Sequence, residues 1–215
     1  MRKMFRFLFW VALIVGSVIG VARLTAIRWW RVPRDDKYLT ASISPSLRGG
    51  DLILLSRLTK PTMGDLVLCP EPNHPERVVI GRIVAQGRDD VEVVGADVSR
   101  NGRRQVTEGN CAARTFIEHD PETGVQVEQA CSMEDVNDHS ASLRGELVST
   151  APRPKDVKTT VPEGTFWLVS DNRQYPYDSR DFGPVPRDSC TEKIFFRLVS
   201  AGGFFDAEAR NQYIR

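Results

Sequence analysis

Residues 7 to 22 read Phe-Leu-Phe-Trp-Val-Ala-Leu-Ile-Val-Gly-Ser-Val-Ile-Gly-Val-Ala, with no charge, after a basic start of Arg2, Lys3 and Arg6. This run is slightly shorter than the roughly 20 residues that a helix needs to cross a bilayer. Arg23 can snorkel, however, and Leu24-Thr25-Ala26-Ile27 adds another apolar turn, so a membrane-crossing helix is predicted. Trp29 and Trp30 follow as expected interfacial anchors. Gly20-Val21-Ala22 also places small residues where a cleavable leader would end, which keeps a removed signal peptide as the competing reading. The Trp pair favours retention. Basic residues lie on both sides (Arg23, Arg28, Arg31 and Arg34 follow the run), so charge asymmetry does not set the orientation.

Past residue 38 the pattern changes to short apolar runs between turn formers, and hardly any helix is expected. Strands are predicted at Asp51–Cys69 in two pieces (51–55 and 65–69), at 77–80, 83–85, 91–94, 165–169 and 194–199. Arg48-Gly49-Gly50-Asp51, Met63-Gly64-Asp65, Asn101-Gly102 and Pro162-Glu163-Gly164 supply the turns between them. Asn101-Gly102 in particular reads as a hairpin turn. Residues 105 to 160 are more polar and more acidic, with brief apolar runs such as Thr115-Phe116-Ile117, and end at Pro152-Arg153-Pro154-Lys155. The expected organisation is a membrane anchor at 1–37, a β-rich core at 38–104 and 161–202, a polar inserted lobe at 105–160 and a tail at 203–215. Mostly β, with a barrel-like core, is the fold class.

Composition narrows the function classes. A formal charge of +1 gives no basis for binding nucleic acid through phosphate neutralisation. Cys69, Cys111, Cys131 and Cys190 show no C-x-x-C spacing, and three histidines accompany them, so neither a metal nor any other cofactor is expected. Cys111 and Cys131 flank a turn-rich stretch that a disulfide could close, for about 3 kcal/mol in an oxidising compartment. Four independent thiols are the alternative.

Two stretches carry a resemblance. Ser42-Ile43-Ser44-Pro45-Ser46-Leu47, followed by Gly50-Asp51, resembles the nucleophile motif of the type I signal peptidases. Ser170-Asp171-Asn172-Arg173, then Asp178-Ser179-Arg180 and Phe182-Gly183-Pro184-Val185-Pro186, resembles that family's second motif, and Gly64-Asp65 its middle box. The resemblance implies a membrane-bound serine endopeptidase that removes signal peptides from exported proteins. Ser42 falls on the nucleophile, and Thr40 on a hydroxyl that lines the oxyanion hole. Asp171, Arg173, Asp178, Ser179, Arg180 and Arg82 fall on residues that support the site. By themselves these four charges of the 171–180 loop are expected to form ion pairs that hold it beside the serine.

One position departs from that family. The general base should be a lysine just before an arginine in a strand, and Ile80-Gly81-Arg82-Ile83 puts Gly81 there. Glycine accepts no proton, and Arg82 stays protonated. His74, Lys60, Lys155 and Lys158 have no sequence reason to reach Ser42. Ser170 in place of glycine and Pro176 in place of serine are two smaller departures. A serine peptidase without its base loses several orders of magnitude in rate. Three readings stand: a peptidase whose base comes from elsewhere in the fold or from a partner, a pseudo-peptidase that binds extended peptides or scaffolds an export complex, and an exported structural β-protein. The expected partners are membrane lipid, signal-peptide-bearing preproteins and, as an open option, a second protein. The expected place is the plasma (inner) membrane, single-pass, with the bulk of the chain on the extracytoplasmic side.

Overall fold

The computed structural model describes residues 2–136, 141–147, 155–206 and 209–214. The Pro152-Arg153-Pro154 stretch expected to link lobe and core lies outside them. In chain order the first half contains α1 (Arg2–Thr25), β1 (Ile27–Arg31), α2 (Lys37–Ile43), β2 (Leu52–Ser56), β3 (Leu66–Pro70) and β4 (Val78–Gln86). Next come β5 (Asp90–Val94), β6 (Asp97–Arg100), β7 (Arg103–Arg104), β8 (Val106–His119), β9 (Gln126–Asp135) and β10 (Ala141–Leu147). The last part holds β11 (Val157–Thr160), β12 (Thr165–Val169), α3 (Ser179–Phe182), β13 (Val185–Pro186), β14 (Glu192–Val199) and β15 (Gln212–Tyr213). The chain is mostly β, as its pattern predicts.

The helix α1 spans 24 residues, about 36 Å at 1.5 Å per residue, which is enough for a ~30 Å hydrocarbon core. From Lys3 to Val21 it is apolar enough to cross a membrane and none of it is buried against the rest of the chain. It runs unbroken through Gly20-Val21-Ala22. The sequence expectation needs correcting just beyond. Ile27 does not extend the helix: Ile27–Arg31 is a strand paired in register with Leu52–Ser56. Alternation then turns Trp30 onto the core while Trp29 is 47% exposed, so the two tryptophans do not act as a pair.

Three sheets follow. The largest runs β1-β2-β14-β3-β4-β12-β13, with β15 on β14; a second is β10-β9-β8 and a third β11-β5-β6-β7. The two apolar runs expected at 77–80 and 83–85 are one strand, β4. Gly81 does not break it because β3 and β12 pair with β4 on both sides. Leu39, Ile43 and Leu47 pack with Ile53, Leu55, Leu68 and Ile80 on one face of the large sheet. Val67, Val79, Ile83, Phe166 and Leu168 fill the other. Asn101 and Gly102 both have positive φ (51° and 76°), the type I′ geometry of a two-residue hairpin.

Two disulfides close the thiols in pairs. Cys111–Cys131 joins β8 to β9, and Cys69–Cys190 joins β3 to the turn before β14. The second closes a sequence separation of 121 residues, for which chain entropy predicts about 5 kcal/mol.

Candidate active site

Ser42 lies in the last turn of α2, a helix not expected from the pattern past residue 38. Asp36 caps it by accepting the Leu39 N–H at 2.9 Å, and Leu39 and Ile43, four apart, bury one stripe. The helix stops at Ser44, extended at ψ 146°, because Pro45 disfavours the α region in its predecessor. A single Asp36 cap and the Leu39–Ile43 spacing were the available signals.

The Ser42 side chain is fully buried, and its hydroxyl donates to Leu39 O at 2.9 Å. Thr40 is not brought beside it. Two helical residues apart means about 200° around the axis, and Thr40 Oγ1 is turned to Asp36 O at 2.7 Å and Pro33 O at 3.3 Å. With one proton to donate, that hydroxyl is committed to carbonyls. The N–H at Ser42, beyond the first helical turn, likewise belongs to the carbonyl four residues back. The Thr40 hydroxyl expected at the oxyanion hole and the Ser42 N–H beside it are therefore both engaged.

The 170–180 loop does come to Ser42: the Asn172 N–H donates to Ser42 O at 2.9 Å. Asn172 Oδ1 accepts from the N–H of Gln174 and Tyr175, which folds the loop on itself. Arg82 grips Asp171 with two parallel bonds of 2.9 and 2.8 Å and donates to Gly64 O at 2.7 Å. The second oxygen of Asp171 also accepts from Ser46 Oγ, which ties the turn after Ser42 to the same carboxylate. Ser179 Oγ accepts the Leu168 N–H at 2.9 Å, and Ser170 Oγ accepts from Tyr177 N–H at 3.1 Å.

Asp178 accepts two bonds from Arg180 (2.9 and 2.8 Å) and the N–H groups of Ser170 and Arg180. Burial alone would raise its carboxyl; these partners outweigh it and hold it below its ordinary 3.8. A depressed native pKa adds stability that is present above the unfolded value and is lost as pH falls through the native one. The stability gap between wild type and Asp178→Asn is thus expected to be full at pH 7 and to close below about pH 4, as read from melting temperatures across that range.

Strands β8 to β10 contribute residues that sequence reasoning missed. Gly145 on β10 donates to Asp171 O at 2.9 Å and accepts the Arg173 N–H at 2.8 Å, forming a bridge with Asn172. A Cβ there would stand 2.7 Å from the tip of the Phe116 ring, so any larger residue at 145 would have to displace that ring. Gln129 Oε1 accepts from Asn172 Nδ2 at 2.9 Å, Glu118 from Ser44 Oγ, and Tyr175 OH meets Asp120 at 3.3 Å. Glu134, completely buried, pairs with both Arg173 and Arg144. Arg173 therefore pairs outside the loop, unlike Asp178–Arg180. Nothing in the sequence separates Glu134 from its acidic neighbours in β9.

No base stands at position 81. An added Cβ would lie 2.9 Å from Leu168 Cβ, closer than real Cβ contacts come. Alternation aims it at the Val79–Ile83 face, opposite Ile80 and the α2 side chains. Among the described residues, Lys37, Lys60, Lys155 and Lys158 are exposed, Lys193 pairs with Asp65, His74 with Glu76, and His119 with Gln126. None of them hydrogen-bonds Ser42.

Residues 3–199 match the model of the family described as signal peptidase, peptidase S26. A signal peptidase I from Aquifex aeolicus is 29% identical over 188 residues, covering 73% of this chain and 72% of its own. Signal peptidase I V from Bacillus subtilis is 25% identical over 191 residues, covering 86% and 92%. A solved signal peptidase I from Enterococcus faecalis aligns with a TM-score of 0.40 at 21% identity over 61% of this chain and 94% of that one. Since the match runs from α1 through β14 and takes in both the Ser42 segment and the 170–180 loop, this chain belongs to the signal peptidase, peptidase S26, family.

Proposed function

We propose that the chain is a membrane-bound serine endopeptidase of signal-peptidase type, acting on signal-peptide-bearing preproteins with Ser42 as nucleophile. The observation that carries this is the Asn172 N–H bond to Ser42 O. It joins the two motifs in space and lets Arg82, Asp171, Asp178, Ser179 and Arg180 brace the serine's surroundings. The apolar α1 supports a single-pass anchor at the inner membrane, and two disulfides support an oxidising, extracytoplasmic side for the remainder. Attack requires Ser42 Oγ to leave Leu39 O and meet a proton acceptor, which in this reading arrives through rearrangement or from a second protein.

The Gly81–Leu168 packing favours a second reading, a family member that binds extended peptides without cutting them. One assay separates the two. Purified full-length chain in detergent is given a preprotein, and Ser42→Ala is run beside it. The peptidase reading expects cleavage by wild type that falls at least 10³-fold in the variant. Equal binding by both, with no product from either, would replace it with the second.

A further inference from the structure

A groove of about 660 Å³ opens between the β2–β3 turn and the segment before β14, lined by Arg57, Leu58, Lys60, Phe166, Arg187 and Asp188 among others. We propose that it holds the headgroup of an anionic phospholipid. Its position comes first. The Arg57 N–H donates to Ala26 O at 2.9 Å, one residue after α1 ends, so the groove sits where the chain leaves the membrane, at headgroup depth. This rests on α1 being a span.

Its charge comes second. Arg57 and Arg28 share Glu192 as a counter-ion, whereas Lys60 and Arg187 have no carboxylate partner among the described residues. Arg187 instead lies over the buried Phe166 ring, its guanidinium carbon 5.0 Å from the ring centroid, and lines the groove. Three cations, Arg57, Lys60 and Arg187, therefore line the groove with one carboxylate, Asp188, and the uncommitted pair lies beside Leu58, which is 70% exposed, and the buried Phe166 ring. Two free cations over an apolar base suit a phosphate with acyl chains attached, and the span brings such phosphates to this level.

The test uses full-length chain in neutral detergent, titrated separately with phosphatidylglycerol, phosphatidylcholine and inorganic phosphate, with bound lipid counted by native mass spectrometry. One phosphatidylglycerol is expected to be retained and phosphatidylcholine not. Lys60→Ala should weaken retention about fivefold and Lys60→Ala/Arg187→Ala about 25-fold, at roughly a factor of five per cation removed. Arg103→Ala, on the remote β7 strand, should change nothing. Lys60 is exposed and unpaired, so its variant stays informative even if loss of Arg187 destabilises the fold. Equal retention of both lipids, unaltered retention in the variants, or displacement by millimolar inorganic phosphate would overturn the headgroup site. Carbonate extraction of membranes checks the span separately; release of the chain would overturn the anchor and this proposal with it.

Discussion

Asp171→Ala is expected to lower stability by about 3–5 kcal/mol, the range measured when one partner of a buried ion pair is removed. Both side chains are buried, Arg82 to 1% and Asp171 to 0% exposure. The guanidinium makes two of its bonds to this carboxylate and a third to Gly64 O. Truncation would leave a charge in a region that water does not reach, and it would also release Ser46 Oγ beside the α2 terminus. For a chain of this size such a loss corresponds to a Tm drop of roughly 10 °C. Full-length protein in detergent, unfolded thermally and by urea, provides the measurement. Replacing both partners, Arg82→Met with Asp171→Leu, should cost clearly less than the single change, because no unpaired charge remains. A single-variant loss under 1 kcal/mol would mean that the pair is not what braces the loop.

Gly81→Lys is expected to destabilise by roughly 2–4 kcal/mol and to create no peptidase activity. Overpacking a filled core costs about 1–3 kcal/mol, and the new Cβ would press on Leu168 Cβ, an atom with no rotamer to escape into. Beyond Cβ the chain would pass among Val67, Val79, Ile83 and Phe166, which desolvates the ammonium without offering it a partner. The position to which the resemblance assigns the base is here part of an apolar seam between β4 and β12. The check is a melting curve plus the preprotein assay on Gly81→Lys and Gly81→Lys/Leu168→Gly. Adding the lysine should cost less on a Leu168→Gly background than on wild type, because the colliding atom is gone, although Leu168→Gly alone is itself destabilising. Wild-type stability together with new cleavage in the single variant would show that the seam opens easily and that the missing lysine is the whole defect.

These two expectations differ in how much of their basis the residues disclose along the chain. The anchor, the β-rich body, the Asn101-Gly102 hairpin and the two motif stretches are local matters. An uncharged run of that length, an alternation of period two or a Gly-Asp turn carries its physical cause within a few neighbours. The absence of a base at position 81 is likewise plain, since no environment lets glycine accept a proton. Tertiary structure decided the rest. Whether Thr40 faces Ser42 depends on α2 being a helix, and that helix is held by Leu39 and Ile43 packing on β strands that follow later in the chain. That Arg173 pairs with Glu134 rather than within its own loop depends on β9 and β10 being laid against residues 171–173. Coulomb attraction and hydrogen bonding are blind to sequence separation. Which carboxylate meets which guanidinium, and whether room exists for a side chain at Gly81, is fixed only when the sheets are brought together.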